Sequence, residues 1–141
     1  MDGNADPAAP PKIVTVRPDK EVMTRQKLPY FVGISADSAG AKAISMNMVV
    51  IPPGGSAEPH MHQGFETAIY VIKGRVLTRY GEGLAQESVN ESGDFLFIPA
   101  SLPHQPVNLS DTEAAVAIVA RNVADEQESV VHYDATAGAA E

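Results

Sequence analysis

Three of the four histidines in this 141-residue chain fall in two short segments whose composition suits metal ligation. In the first, His60 and His62 are separated by one residue and Glu66 follows four positions on. Successive side chains of a strand point to opposite faces, so His60 and His62 present both imidazoles to one side with Met61 turned away. Two side chains about 6 to 7 Å apart in backbone rise can converge on one ion, at roughly 2.0 to 2.1 Å from each nitrogen. In the second segment an apolar run at 95–98 leads through Pro99 and Pro103 to His104. The chain has no cysteine, which removes disulfides, thiolate catalysis and every cysteine-based metal site. A metal must therefore be met by histidine, carboxylate or carbonyl. His132 has no partner spacing and reads as a structural residue, and Glu58 as a residue of a solvated mouth.

These side chains need a scaffold of short strands. Runs of β-branched or apolar residues recur at 13–16, 30–34, 44–51, 68–72, 76–80, 95–98, 114–119 and 129–133, separated by turn residues such as Pro52, Gly54, Gly81, Gly93 and Pro103. With 11 Gly and 11 Pro, the composition favours many sharp turns over long helices. The pattern predicts an all-β sandwich or barrel, with one short helical turn near 123–127. Along 44–51 the even positions Ile44, Met46, Met48 and Val50 share a face, which is expected to point inward. Met46, Met48, Phe95, Phe97 and Ile118 are expected in the core or pocket wall, Tyr70 and Tyr80 in packing, and Arg75 and Arg79 on an exposed face. Residues 1–11 and 135–141 are small, polar or proline-rich and read as frayed tails around a single domain at 12–134.

The two histidine segments resemble the paired motifs of the cupin superfamily. Gly54, His60, His62 and Glu66 fit the first motif, while Gly93, Pro99, His104 and Asn108 fit the second. The resemblance covers 54–108 and implies a jelly-roll β-barrel holding one divalent ion on His60, His62, His104 and Glu66. Two departures stand out. Ser101 occupies the usual glycine of the second motif's turn, which a serine fills easily unless the backbone there needs positive φ. Seven residues, where the family has six, separate Glu66 from Gly74. That places Thr67 at the family's glutamate position, so Glu66 is either a ligand reached through a β-bulge or a bystander beside a three-histidine site.

Three imidazoles, with or without a carboxylate, leave open positions for a substrate. The set suits Fe, Mn, Ni, Zn, Co or Cu as the divalent ion. The resemblance implies an enzyme, first a dioxygenase-type oxidoreductase acting on a small enolisable, diketone-like or aromatic substrate, with Glu66 available as base. A redox-free isomerase or lyase acting on a sugar or hydroxy acid is the second reading, and a non-catalytic binding module the third. A net charge of −8 and a pI near 4.9 argue against nucleic acid and anionic membranes as partners. No stretch approaches the roughly 20 apolar residues of a membrane span, and the first residues do not read as a secretory signal, so a cytoplasmic location is expected. A homodimer is also expected, with residues 13–16 adding a strand to a partner sheet.

Overall fold

The computed structural model describes residues 10–18, 22–23, 28–125 and 130–134. Its strands are β1 (Val22–Met23), β2 (Pro29–Ile34), β3 (Ser45–Ile51), β4 (His60–His62), β5 (Thr67–Lys73), β6 (Arg75–Tyr80), β7 (Gln86–Glu91), β8 (Phe95–Ile98), β9 (His104–Asn108), β10 (Ala115–Arg121) and β11 (Val130–His132). They form two antiparallel sheets, ordered β1-β2-β3-β10-β5-β8 and β11-β4-β9-β6-β7. This is the double-sheet jelly roll that the sequence resemblance implied. One helical turn, α1 (Ala36–Ala39), joins β2 to β3, capped by Ser35 and closed by Gly40 in the left-handed conformation. Among the described residues no helix is long and apolar enough to cross a membrane.

Inside the barrel, the central strands of the first sheet change character along their length. At one end Ile51 on β3 and Ala115 on β10 are direct partners, packed with Leu28, Ala57 and Val76 in an apolar cluster. At the other end the inward residues are Ser45, Asn47, Thr67 and Arg121, all buried. The barrel thus has a hydrophobic half and a polar half.

That polarity overturns one expectation. Along β3 the inward set is Ser45, Asn47, Val49 and Ile51, and the even positions face outward. Met46 is 49% exposed, Phe97 61% and Phe95 80%, so none of the three is core. Met48 and Ile118 lie on the same outer face, half-buried. Period-two alternation separates two faces without saying which is inside. Here the inner face of β3 is partly polar, so the stronger apolar signal marked the outer one. A row of direct cross-strand partners, Phe31, Met48, Ile118, Tyr70 and Phe95, crosses that outer face without a charge.

Arg75 and Arg79 do lie on an exposed face, each opposite a glutamate of β7, Glu91 and Glu87 respectively. Residues 13–16 form no strand within the chain, and Ile13 is 94% exposed. β7 and β9 were not anticipated as strands, because QESVNE and HQPVN carry too few apolar residues to stand out. The helical turn expected at 123–127 lies partly outside the described residues, as do nearly all of both expected tails.

Two local devices hold the barrel ends. Gly74, between β5 and β6, has φ 97°, and a Cβ there would sit 2.9 Å from Ala115 Cα. Only glycine fits that approach. Asn108, a residue of the second motif, is buried and its Nδ2 lies 2.8 to 3.1 Å from the carbonyls of Ile51, Pro52 and Glu113, while its Oδ1 accepts from Ser110 N–H. Its work is to bracket two turns of chain, at 52–55 and 110–113.

Candidate metal centre

His60 on β4 is directly opposite His104 on β9, and His62 lies two residues further along β4 on the same face. All three are buried. Their ring centroids are 4.4 to 5.6 Å apart, and one nitrogen from each can be chosen so that all three lie within 4.8 Å of one another. The two-residue spacing puts both β4 imidazoles inward as expected. The β9 imidazole meets them because the turn between β8 and β9 is tied back to β4: Ser101 N–H donates to His62 O at 2.9 Å, and Gly64 N–H to Ser101 Oγ at 3.4 Å. Ser101 holds φ 64°, a conformation that favours glycine, so the serine at this turn is strained.

The hydrogen bonds set the tautomers. His60 Nδ1–H donates to Glu58 O at 2.7 Å and His104 Nδ1–H to Leu102 O at 2.9 Å, which leaves Nε2 of each ring as the lone-pair nitrogen. His62 differs: its Nε2 accepts from Arg121 Nη2 at 3.2 Å, while its buried Nδ1 has no protein partner. Burial is the main force on all three titrations. It lowers His60 to about 3, with the neighbouring His104 adding to the effect. His62 falls to about 2, through burial and then Arg121, and His104 is lowered as well. The rings are therefore neutral at ordinary pH: His60 and His104 offer Nε2 directly, whereas an ion on His62 Nε2 takes the place of the Arg121 N–H. Neutral imidazoles, two with their second nitrogen held on a carbonyl and the third incompletely bonded, fit a divalent transition ion.

Glu66 is not brought to this cluster. It is exposed, its backbone N–H donates to Asn122 Oδ1 at 2.9 Å, and it stands at the rim of an outer groove. The inward position is taken by Thr67, buried and opposite Arg121. A bulge does exist in β5, but it lies between Val71 and Lys73, where two steps of β5 face one step of β10. From Thr67 to Val71 the alternation is unbroken, so the bulge re-phases the chain toward Gly74 and leaves Glu66 outside. The roles of fourth ligand and base that the sequence resemblance implied for Glu66 are thereby corrected. His132 also stays apart, with Nδ1 3.4 Å from Glu58 Oε1 near the surface.

Arg121 was not singled out from the sequence. Its signal was present: on β10 the inward positions Ala115, Ala117 and Val119 are followed, in the same phase, by a single cation. His60, His104 and Arg121 open onto an interior cavity of about 80 Å³ walled by residues such as Val49, Ile69, Leu96 and Val119. At roughly 10 to 15 Å³ per water centre, that space takes on the order of five to eight waters, or a small organic acid.

The cupin-domain family matches residues 47–120, more than half of the chain, from within β3 to within β10, and takes in all three histidines. The chain belongs to the cupin family. A germin-like protein, subfamily T member 3, of Arabidopsis thaliana is 37% identical over 90 residues, covering 62% of this cupin and 38% of the relative. The chain thus spans well under half the length of that relative. Among solved structures, the polyketide cyclase RemF of Streptomyces resistomycificus superposes with a TM-score of 0.72 at 22% identity, over 87% of each chain. An oxalate oxidase in complex with the substrate analogue glycolate superposes with a TM-score of 0.61 at 26% identity, over 70% of this cupin and 52% of the oxidase. The cupin fold and the buried histidine cluster together are consistent with one divalent ion.

Proposed function

We propose that this cupin is a metal-dependent enzyme in which His60, His62 and His104 hold one divalent transition ion beside a small, oxygen-chelating substrate that is oxidised by O₂. The carrying observation is the ligand set, three neutral buried imidazoles with no carboxylate joining them among the described residues, two of which, His60 and His104, line a cavity of about 80 Å³. A divalent ion bound there supplies Lewis acidity that favours the enolate or alkoxide form of a chelating substrate, and a redox-active one also supplies a route to O₂. The uncharged rings leave the ion's charge undiminished, and a substrate filling the cavity displaces the water it holds. With Glu66 turned outward, the imidazole cluster holds no carboxylate base among the described residues, which favours substrates that are already anionic or readily enolised. The cavity's size selects small acids or diketones over polycyclic aromatics. The oxalate oxidase that binds glycolate, at 26% identity, supports a small acid.

A redox-free lyase or cyclase is the second reading, favoured by the match over nearly the whole length of both chains to a polyketide cyclase. Oxygen-electrode measurements on protein loaded with Fe(II), Mn(II) or Zn(II) separate the two, using acetylacetone and glycolate as probes. Oxygen uptake with Fe(II) or Mn(II) and none with Zn(II) supports the oxidase reading. Turnover with Zn(II) supports the second. Replacing His104 by Ala is expected to abolish stoichiometric metal binding, and retention of one ion per chain would sink both readings. We extend the proposal to a homodimer that covers the uncharged row Phe31, Met48, Ile118, Tyr70 and Phe95 on the outer face of the first sheet.

A further inference from the structure

Beside the histidines, the central strands of the first sheet end in polar side chains that ion binding leaves unused. Ser45 on β3 is directly opposite Arg121 on β10, and Arg121 is directly opposite Thr67 on β5. Asn47 lies two residues along β3 on the same face. None of the four is more than 8% exposed. Among the described residues Ser45 Oγ, Thr67 Oγ1 and Asn47 Nδ2 have no hydrogen-bond partner, and because Asn47 Oδ1 already accepts Gly33 N–H, its open atom is a donor. Arg121 places Nη2 3.2 Å from His62 Nε2 and Nη1 3.4 Å from Tyr30 Oη, so its guanidinium bridges this row and the histidine cluster. Buried polar atoms left unpartnered are destabilising, and three of them on the two strands that flank Arg121 point to an occupant.

The occupant's chemistry follows from the donors. Two hydroxyls, an amide N–H₂ and a guanidinium present donor hydrogens around a positive charge, and the planar guanidinium fork matches a carboxylate. Arg121 lines both the interior cavity, together with His60 and His104, and the outer groove, together with Ser45 and Thr67. Glu66 stands at the rim of that groove, exposed and on the other face of β5 from Thr67. We propose that this row is a carboxylate subsite: Arg121 binds the carboxylate of a small substrate, Thr67 and Ser45 donate to it, and the substrate's second oxygen reaches the three-histidine centre. The last clause rests on the metal reading, while the subsite itself does not.

Calorimetric titration of glycolate, and of its neutral analogue glycolamide, into metal-free and Mn(II)-loaded protein tests this. In both forms Arg121→Gln should weaken glycolate binding at least tenfold, leave glycolamide nearly unchanged and keep the Mn(II) stoichiometry of the wild type. Unchanged glycolate affinity in Arg121→Gln with one Mn(II) per chain overturns the subsite and leaves the metal centre standing. Failure of the wild type to take up Mn(II) removes the metal reading instead, and the metal-free titrations then decide the subsite, with equal affinity for glycolate and glycolamide overturning it. Should Arg121→Gln not fold, the near-isosteric Thr67→Val with Ser45→Ala replaces it. That pair is expected to weaken glycolate three- to tenfold, and an unchanged affinity overturns the proposal.

Discussion

At the scale of single residues, the phase of one strand decides the ligand set. Because Thr67 and not Glu66 faces the histidines, Glu66→Gln should leave metal stoichiometry at one and metal affinity within about twofold, measured by competition with a chelator. A tenfold loss would return Glu66 to the site. The histidines also tie stability to pH. Their folded values lie well below the roughly 6.5 of an unfolded histidine, His60 at about 3 and His62 at about 2. Between those limits the unfolded chain binds protons that the folded chain does not, so stability rises with pH up to about 6.5 and is flat with respect to these groups above it. The melting temperature of metal-free protein is therefore expected to fall as pH drops from 6.5 to 5, a window above most carboxylate titration. A variant with His60 and His62 replaced by Gln should lose most of that slope, and a wild-type melting temperature constant across the window would contradict the assignment. The three histidines could be read from spacing because a strand's period of two is insensitive to context. Arg121 was missed because one cation ending an apolar run looks the same whether it faces solvent or a site.

At the scale of elements, most strands were readable from apolar runs and turn residues, whereas their inward faces were not. The inner face of β3 carries Ser45 and Asn47, so hydrophobicity pointed to the wrong side, and β7 was invisible because only its Val89 is strongly apolar. The spacing between Glu66 and Gly74 did signal an irregularity in β5, but a count of residues cannot say where along a strand a bulge falls. The second motif's asparagine acts at this scale. Asn108→Ala strips the hydrogen bonds to three carbonyls and to Ser110 N–H in a buried setting, which is expected to cost about 3 kcal/mol in urea unfolding. A loss below about 1 kcal/mol would mean that the turns at 52–55 and 110–113 hold without it.

For the whole molecule, the division into an apolar half and a polar half separates what stabilises the barrel from what equips it. Leu28, Ile51, Ala57, Val76 and Ala115 form a conventional core, while the opposite half spends its interior on imidazoles, hydroxyls and a guanidinium. The apolar surface displaced from that half reappears outside, on the face that carries Met46, Tyr70, Phe95 and Phe97. Contiguous patches of this kind are uncommon on monomers, and a second copy is the expected cover. Sedimentation at micromolar concentration should show a dimer, and Phe97→Asp should shift it toward monomer without loss of bound metal. A monomeric wild type at that concentration would refute the assembly.

The unbroken alternation from Thr67 to Val71 has a consequence for how such barrels diverge. Removing a single residue from this stretch, Ala68 for instance, would carry Glu66 into the inward phase while the downstream bulge kept Gly74 against Ala115. One codon's deletion would then exchange a neutral three-nitrogen site for one bearing a carboxylate, lowering the charge felt by a substrate without altering any histidine. In this barrel the strand's length acts as a dial on the centre's electrostatics, one that insertion and deletion can turn while every side chain of the site keeps its identity.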